Sequence, residues 1–163
     1  MAYVKVFALT TNEDDCFTFT GVDMDEDSYA SYWFADWCDT QEEPQVIAKQ
    51  FVESLYCPDG TISINKSDIG LWYITFTQDA VDYYFRRLYH RFTEALSELN
   101  GATEADMQTF EIPGYSHLQN ALEDRYGARV YSLENGWNTI PDFMRMVVPE
   151  QKYYVCGAVG AYC

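Results

Sequence analysis

Leu71-Trp-Tyr-Ile-Thr-Phe-Thr77 is a run of aromatic and β-branched residues, the composition of a half-buried strand. It leads directly into Asp79–Leu99, where Val81, Phe85, Leu88, Phe92, Leu96 and Leu99 recur at helical spacing and predict the inner face of the longest helix. Gly101 stands just beyond its end, where a left-handed residue commonly closes a helix. A strand running straight into a long amphipathic helix sets the pattern for the rest of the chain.

Upstream, Tyr3 to Leu9, with Tyr, Val, Lys, Val and Phe in succession and a β-branched bias, reads as a strand, with Cys16 to Val22 as its hairpin partner across an acidic turn. Asp27 or Ser28 can cap a helix through Cys38, in which Tyr29, Tyr32, Trp33 and Trp37 share roughly one face. Thr40 with Glu43 matches a capping box, predicting a helix from Gln41 to about Tyr56 with Pro44 in its first turn. Ile47, Phe51 and Leu55 form its apolar stripe, and Pro58-Asp59-Gly60 ends it.

Downstream, Thr103 and Ser116 are expected to cap two shorter helices. Arg129 to Leu133 and Tyr153 to Val159 read as strands, and Asn135-Gly136 as a tight hairpin turn. Strands and helices are interspersed, while the early hairpin and the Asn-Gly turn favour antiparallel pairing. The expected fold is α+β: a small, mainly antiparallel sheet packed with several helices, the longest spanning about residues 79–99. No repeat, low-complexity tract or linker divides residues 1–163, so a single domain is expected.

The 26 acidic residues against 10 Lys and Arg give a formal charge of −16 over 163 residues. Lys and Arg supply most affinity for nucleic acid, so direct binding to a phosphate backbone is disfavoured, as is an anionic membrane. Disorder is disfavoured too, because 48% of residues are hydrophobic and 14 Tyr, 10 Phe and 4 Trp are present. The charge is polarised. Residues 1–48 hold eleven acids and one Lys, a balance of −10, whereas 49–163 carry −6.

The acidic, aromatic stretch 12–43 is therefore the candidate interface. Its proposed partner-binding residues are Asp23, Asp25, Glu26, Asp27, Tyr29, Trp33, Asp36, Trp37, Asp39, Glu42 and Glu43. Carboxylates there would attract a basic surface at long range, and one or two exposed rings would anchor it. The bland alternative is a set of core aromatics beneath a solvated acidic face.

Signals for chemistry are sparse. Asp23, Asp25 and Asp27 resemble the opening of a calcium loop, but position six is Ser28 instead of Gly and position twelve is Phe34 instead of Glu. Only His90 and His117 are available to a His-dependent site, and pairing His117 with Cys57 or Cys38 lacks any local signature. No nucleophile elbow, zinc-protease, Walker or dinucleotide motif occurs, so no catalytic residue, metal or cofactor is assigned. Five cysteines, Cys16, Cys38, Cys57, Cys156 and Cys163, are odd in number and widely spaced, against a disulfide scaffold. Met1–Thr11 lacks the pattern of a signal peptide and no window is apolar enough to span a membrane. A cytoplasmic location with reduced thiols is expected.

Arg86, Arg87 and Arg91 form a local basic patch beside Tyr83, Tyr84 and His90. In so acidic a chain these arginines are expected to pair with its own carboxylates, ahead of binding an anion or stacking on bases.

Duplex DNA carries one charge per roughly 1.7 Å of axis, so a body about 40 Å long overlays about 23 phosphates, a number close to the acid count here. In size and charge the chain resembles DNA-mimic inhibitors carried by phages and plasmids, such as anti-restriction and anti-CRISPR proteins. It equally resembles immunity proteins that neutralise basic nuclease toxins. Both resemblances rest on length and composition, and no site residue is carried over from either. They imply a non-enzymatic inhibitor of a basic nucleic-acid-binding protein, with counter-defence ahead of toxin immunity. A small enzyme using a Cys/His or carboxylate site and a structural protein are the other classes considered. Homodimerisation is compatible with each.

Overall fold

A computed structural model describes residues 3–16, 36–39, 42–123, 127–132 and 134–162. The strands are β1 (Tyr3–Thr10), β2 (Asp36–Asp39), β3 (Ile62–Lys66), β4 (Trp72–Phe76), β5 (Arg129–Ser132), β6 (Gly136–Thr139) and β7 (Tyr153–Tyr162). The α-helices are α1 (Pro44–Leu55), α2 (Gln78–Leu99), α3 (Glu104–Thr109), α4 (Tyr115–Glu123) and α5 (Ile140–Met146), and a short 3-10 turn covers Glu13–Asp15. The fold is α+β, as expected.

All seven strands join one mixed sheet in the order β3-β4-β7-β1-β5-β6, with β2 also paired to β7. Five of the six pairings in that order and branch are antiparallel, and β1 with β5 is the parallel exception. β1 is central. Val6, Ala8, Phe7 and Leu9 are all buried, so both faces of the strand are covered. Phe7 and Leu9 join the main core with Phe51, Ile74, Phe76, Val130, Phe143 and Tyr153, while Val6 and Ala8 meet Val159 on the other face. Over Val6–Ala8 the two edges of β1 are taken by β7 and β5. The hairpin partner expected at Cys16–Val22 lies outside the described residues except for Cys16, which follows the 3-10 turn and is not in a strand.

Within the expected helix 27/28–38, residues 36–38 are instead strand, paired through Asp36–Tyr162, Trp37–Ala161 and Cys38–Gly160. Pairing to β7 outweighs the local spacing of aromatic residues there. Helix α1 begins at Pro44, later than the Thr40–Glu43 capping box predicts. The cause is steric: the ring of Pro44 disfavours helical geometry at the preceding residue. Glu43 is accordingly extended, at φ −62° and ψ 141°, and is the N-cap without a side-chain cap bond. The predicted stripe Ile47, Phe51 and Leu55 is buried.

Helix α2 matches its expected span, and the Thr77 hydroxyl accepts from the Ala80 N–H at its start. Its inner face differs from the predicted stripe. Ala80, Tyr84 and Ala95 are buried, Val81, Phe85 and Leu88 pack at the core margin, and Leu96 is 38% exposed. Small residues explain the far end, where a Cβ on Gly114 (φ +76°) would lie 2.7 Å from the Ala95 carbonyl oxygen. That approach brings the backbone preceding α4 against α2 at Ala95, leaving Leu96 outside. Thr103 caps α3 as expected, and Asp106 completes a reciprocal capping box with it. Helix α4, however, starts at Tyr115, so Ser116 lies in its first turn instead of capping it. The β5–β6 connection turns at Gly136, whose φ of +64° suits glycine.

Candidate functional site

The acidic segment enters the described structure at its two ends. After β1 the chain makes the 3-10 turn Glu13-Asp14-Asp15, capped by Asn12, whose side chain accepts from the Asp14 N–H. All three carboxylate residues are exposed, and among the described residues none forms an ion pair. Asp36, Trp37 and Asp39 belong to β2, opposite Tyr162, Ala161 and Val159 of β7. Asp23, Asp25, Glu26, Asp27, Tyr29 and Trp33 lie outside the described residues, as does the calcium-loop resemblance they carry.

Glu42 and Glu43 close the segment and behave differently. Glu43 is exposed at the start of α1. Glu42 is engaged internally: Lys5 Nζ donates to its Oε2 at 2.5 Å and Gln50 Nε2 to its Oε1 at 2.7 Å, while Lys5 also donates to Gln50. The bond from Lys5, then that from Gln50, holds the Glu42 carboxyl below its ordinary pKa. The one Lys of residues 1–48 thus matches one of their eleven acids.

Elsewhere among the described residues three more ion pairs form, Arg145–Asp142, His117–Glu98 and His90–Glu94, and the last two involve histidine. The expected pairing of the α2 arginines with the chain's own acids does not occur there. Arg86 and Arg91 are exposed and form no ion pair among the described residues. Arg87 instead lies over the Tyr56 ring, 4.9 Å from its centroid, and donates to the Tyr56 carbonyl oxygen at 3.3 Å. Tyr56 ends α1 in the left-handed region, so Arg87 meets a helix C-terminus, where a cation is favoured.

Of the residues considered for catalysis, Cys57, His90 and His117 each engage other groups. The Cys57 thiol donates to the Leu55 and Ala80 carbonyl oxygens at 3.8 and 3.6 Å, and burial raises its pKa against the opposing charge of Arg87. His117 Nδ1 lies 2.8 Å from Glu98 Oε2, tying α4 to α2, and His90 faces Glu94 on its own helix. Among the described residues no group of three or more His, Cys, Asp or Glu is placed to hold a metal ion. None of their helices is long and apolar enough to cross a membrane.

Two arrangements carry no local sequence signal. A cleft on the β5–β6 hairpin is lined by Arg129, Trp137, Asn138, Thr139 and Asp142. Arg129 is buried and donates to the Gly127 and Ala128 carbonyls, while Asp142 is engaged by Thr139 and Arg145. The second is a contact between Cys16 and Cys156, whose sulfurs lie 3.5 Å apart although 140 positions separate them.

No protein-family model, curated protein or solved structure matches this chain.

Proposed function

We propose that this protein is a non-enzymatic inhibitor that binds a basic, nucleic-acid-handling protein through the acidic face of residues 12–43. Within that class the reading is counter-defence by DNA mimicry, with a CRISPR or restriction complex as the target. The observation that carries it is a charge of −16 on a folded chain, in which 26 acids stand against 10 Lys and Arg. Among the described residues, Lys5–Glu42 and Arg145–Asp142 are the only ion pairs that use Lys or Arg. Exposed carboxylates on a fixed scaffold create a long-range field that accelerates encounter with a basic surface and repels nucleic acid. Asp36 and Asp39 are carried on a strand of the sheet, which gives that part of the segment the rigidity a mimic of a stiff polyanion needs.

The test is a binding titration against purified CRISPR and restriction complexes at low and high salt. Association is expected to weaken steeply as salt rises, and joint replacement of Asp25, Asp27, Asp36 and Asp39 by Lys is expected to abolish it while leaving the circular-dichroism spectrum intact. A complex indifferent to both salt and charge reversal would overturn the mechanism.

A further inference from the structure

We propose that Cys16 and Cys156 are a redox-active dithiol that closes to a reversible disulfide, clasping the chain after the first strand onto β7. Cys16 follows the 3-10 turn and its thiol donates to the Val155 carbonyl oxygen at 3.7 Å and to Cys156 Sγ at 3.5 Å. Cys156 occupies a special position in β7. Ala8 pairs with Gly157 and Leu9 with Val155, so Cys156 is the extra residue of a β-bulge. A bulged residue sits outside the ladder and its strand is locally bent, which lets its side chain be re-aimed without breaking flanking pairs. Closing the sulfurs to a bond of about 2.05 Å requires a movement of roughly 1.5 Å. Both residues lie where the backbone is not locked by regular pairing.

The chemistry balances with a peroxide as oxidant. The Cys16 thiolate attacks the O–O bond of hydrogen peroxide, keeping one oxygen as a sulfenic acid and releasing the other as water after protonation. Cys156 then attacks the Cys16 sulfur as a thiolate. The S–S bond forms as hydroxide leaves, and hydroxide takes up the thiol proton as a second water. One peroxide and two thiols thus give one disulfide and two waters. Once ionised, Cys16 accepts from the Cys156 thiol 3.5 Å away, which lowers the Cys16 pKa against the opposing effect of burial and favours Cys16 as the attacking group. Cys57 is the internal contrast: it bonds only to carbonyl oxygens and burial raises its pKa.

The experiment treats the full chain with hydrogen peroxide, alkylates the remaining thiols and maps chymotryptic peptides. Cleavage after Phe17, Trp37, Tyr56, Tyr154 and Tyr162 separates all five cysteines. The expected result is a mass loss of two hydrogens, a linked pair containing Cys16 and Cys156, and reversal by dithiothreitol. Because the bond closes a long loop, Tm is expected to rise by roughly 5–10 °C on oxidation. Cys16→Ser is expected to remove both the link and the rise. Alkylation of both thiols after peroxide, a link through Cys38, Cys57 or Cys163 in place of this one, or a Cys16–Cys156 link that lowers Tm would each overturn the proposal.

Discussion

The ring of Phe51 on α1 packs against that of Phe7 on β1, 5.1 Å between centroids and inclined at 58°. Phe51 also meets Phe143 of α5 edge-on at 5.7 Å, and Phe143 continues to Phe76 and Tyr153. One fully buried ring therefore joins two helices to the central strand. Truncation removes its transfer energy and leaves a cavity that the rigid rings of Phe7 and Phe143 cannot fill. Phe51→Ala is expected to lower unfolding free energy by about 3–5 kcal/mol, and Phe51→Leu by distinctly less. Urea denaturation of the two variants measures the difference. Equal, small losses would show that the cluster collapses around the gap.

Glu134 fastens the β5–β6 turn to the end of β1. Its Oε1 accepts from Thr10 Oγ1, Thr11 N–H and Thr11 Oγ1, each at 2.9 Å. Burial pushes its pKa up, but these bonds and its own backbone N–H outweigh that and hold the carboxyl below the ordinary 4.5. A depressed folded-state pKa means that the stabilisation is complete above the unfolded-state value and is lost as pH falls through the folded one. Protonating carboxylates that have no such partners acts in the opposite sense, because it relieves repulsion in a chain at −16. The difference between wild type and Glu134→Gln isolates the local contribution. Their Tm gap is expected to be constant near neutral pH and to shrink as pH falls below about 4.5. A gap that persists unchanged into acid would mean that the ionised carboxylate is not what the three donors favour.

Much of this fold was legible because its elements obey strong local rules. Leu71–Thr77 could be little but strand, the helical spacing after Asp79 is sustained for over five turns, and Thr103 with Asp106 caps as its chemistry suggests. What escaped depends on residues far apart. The parallel register Val6–Arg129 has no local signature, nor does the pairing of Asp36–Asp39 with β7 that replaces a helical pattern. At α1 two local rules competed, and the constraint of Pro44 on Glu43 prevailed over the capping-box match at Thr40. For the candidate interface, charge was legible by counting, and the internal engagement of Glu42 was not, since Lys5 reaches it from β1 across the fold. The nearness of Cys16 to Cys156 likewise depends on a bulge that spacing cannot reveal.

The three α2 arginines separate into two roles that stability measurements distinguish. Arg87 both covers the Tyr56 ring and bonds its carbonyl oxygen at the end of α1, combining a cation–π contact with a charge-assisted bond. Both are partly solvated, so Arg87→Ala is expected to lower unfolding free energy by about 1 kcal/mol. Arg86 and Arg91 are exposed and make no ion pair among the described residues, so alanine at either is expected to change it by less than about 0.5 kcal/mol. Replacement of Tyr56 by Ala should remove most of the Arg87 effect, because the ring is one of its two partners, and a double-mutant cycle measures that coupling. Losses of similar size at all three arginines would show that Arg86 and Arg91 also support the fold. Near-zero losses at Arg86 and Arg91 would leave their charge as a surface property of an otherwise acidic molecule.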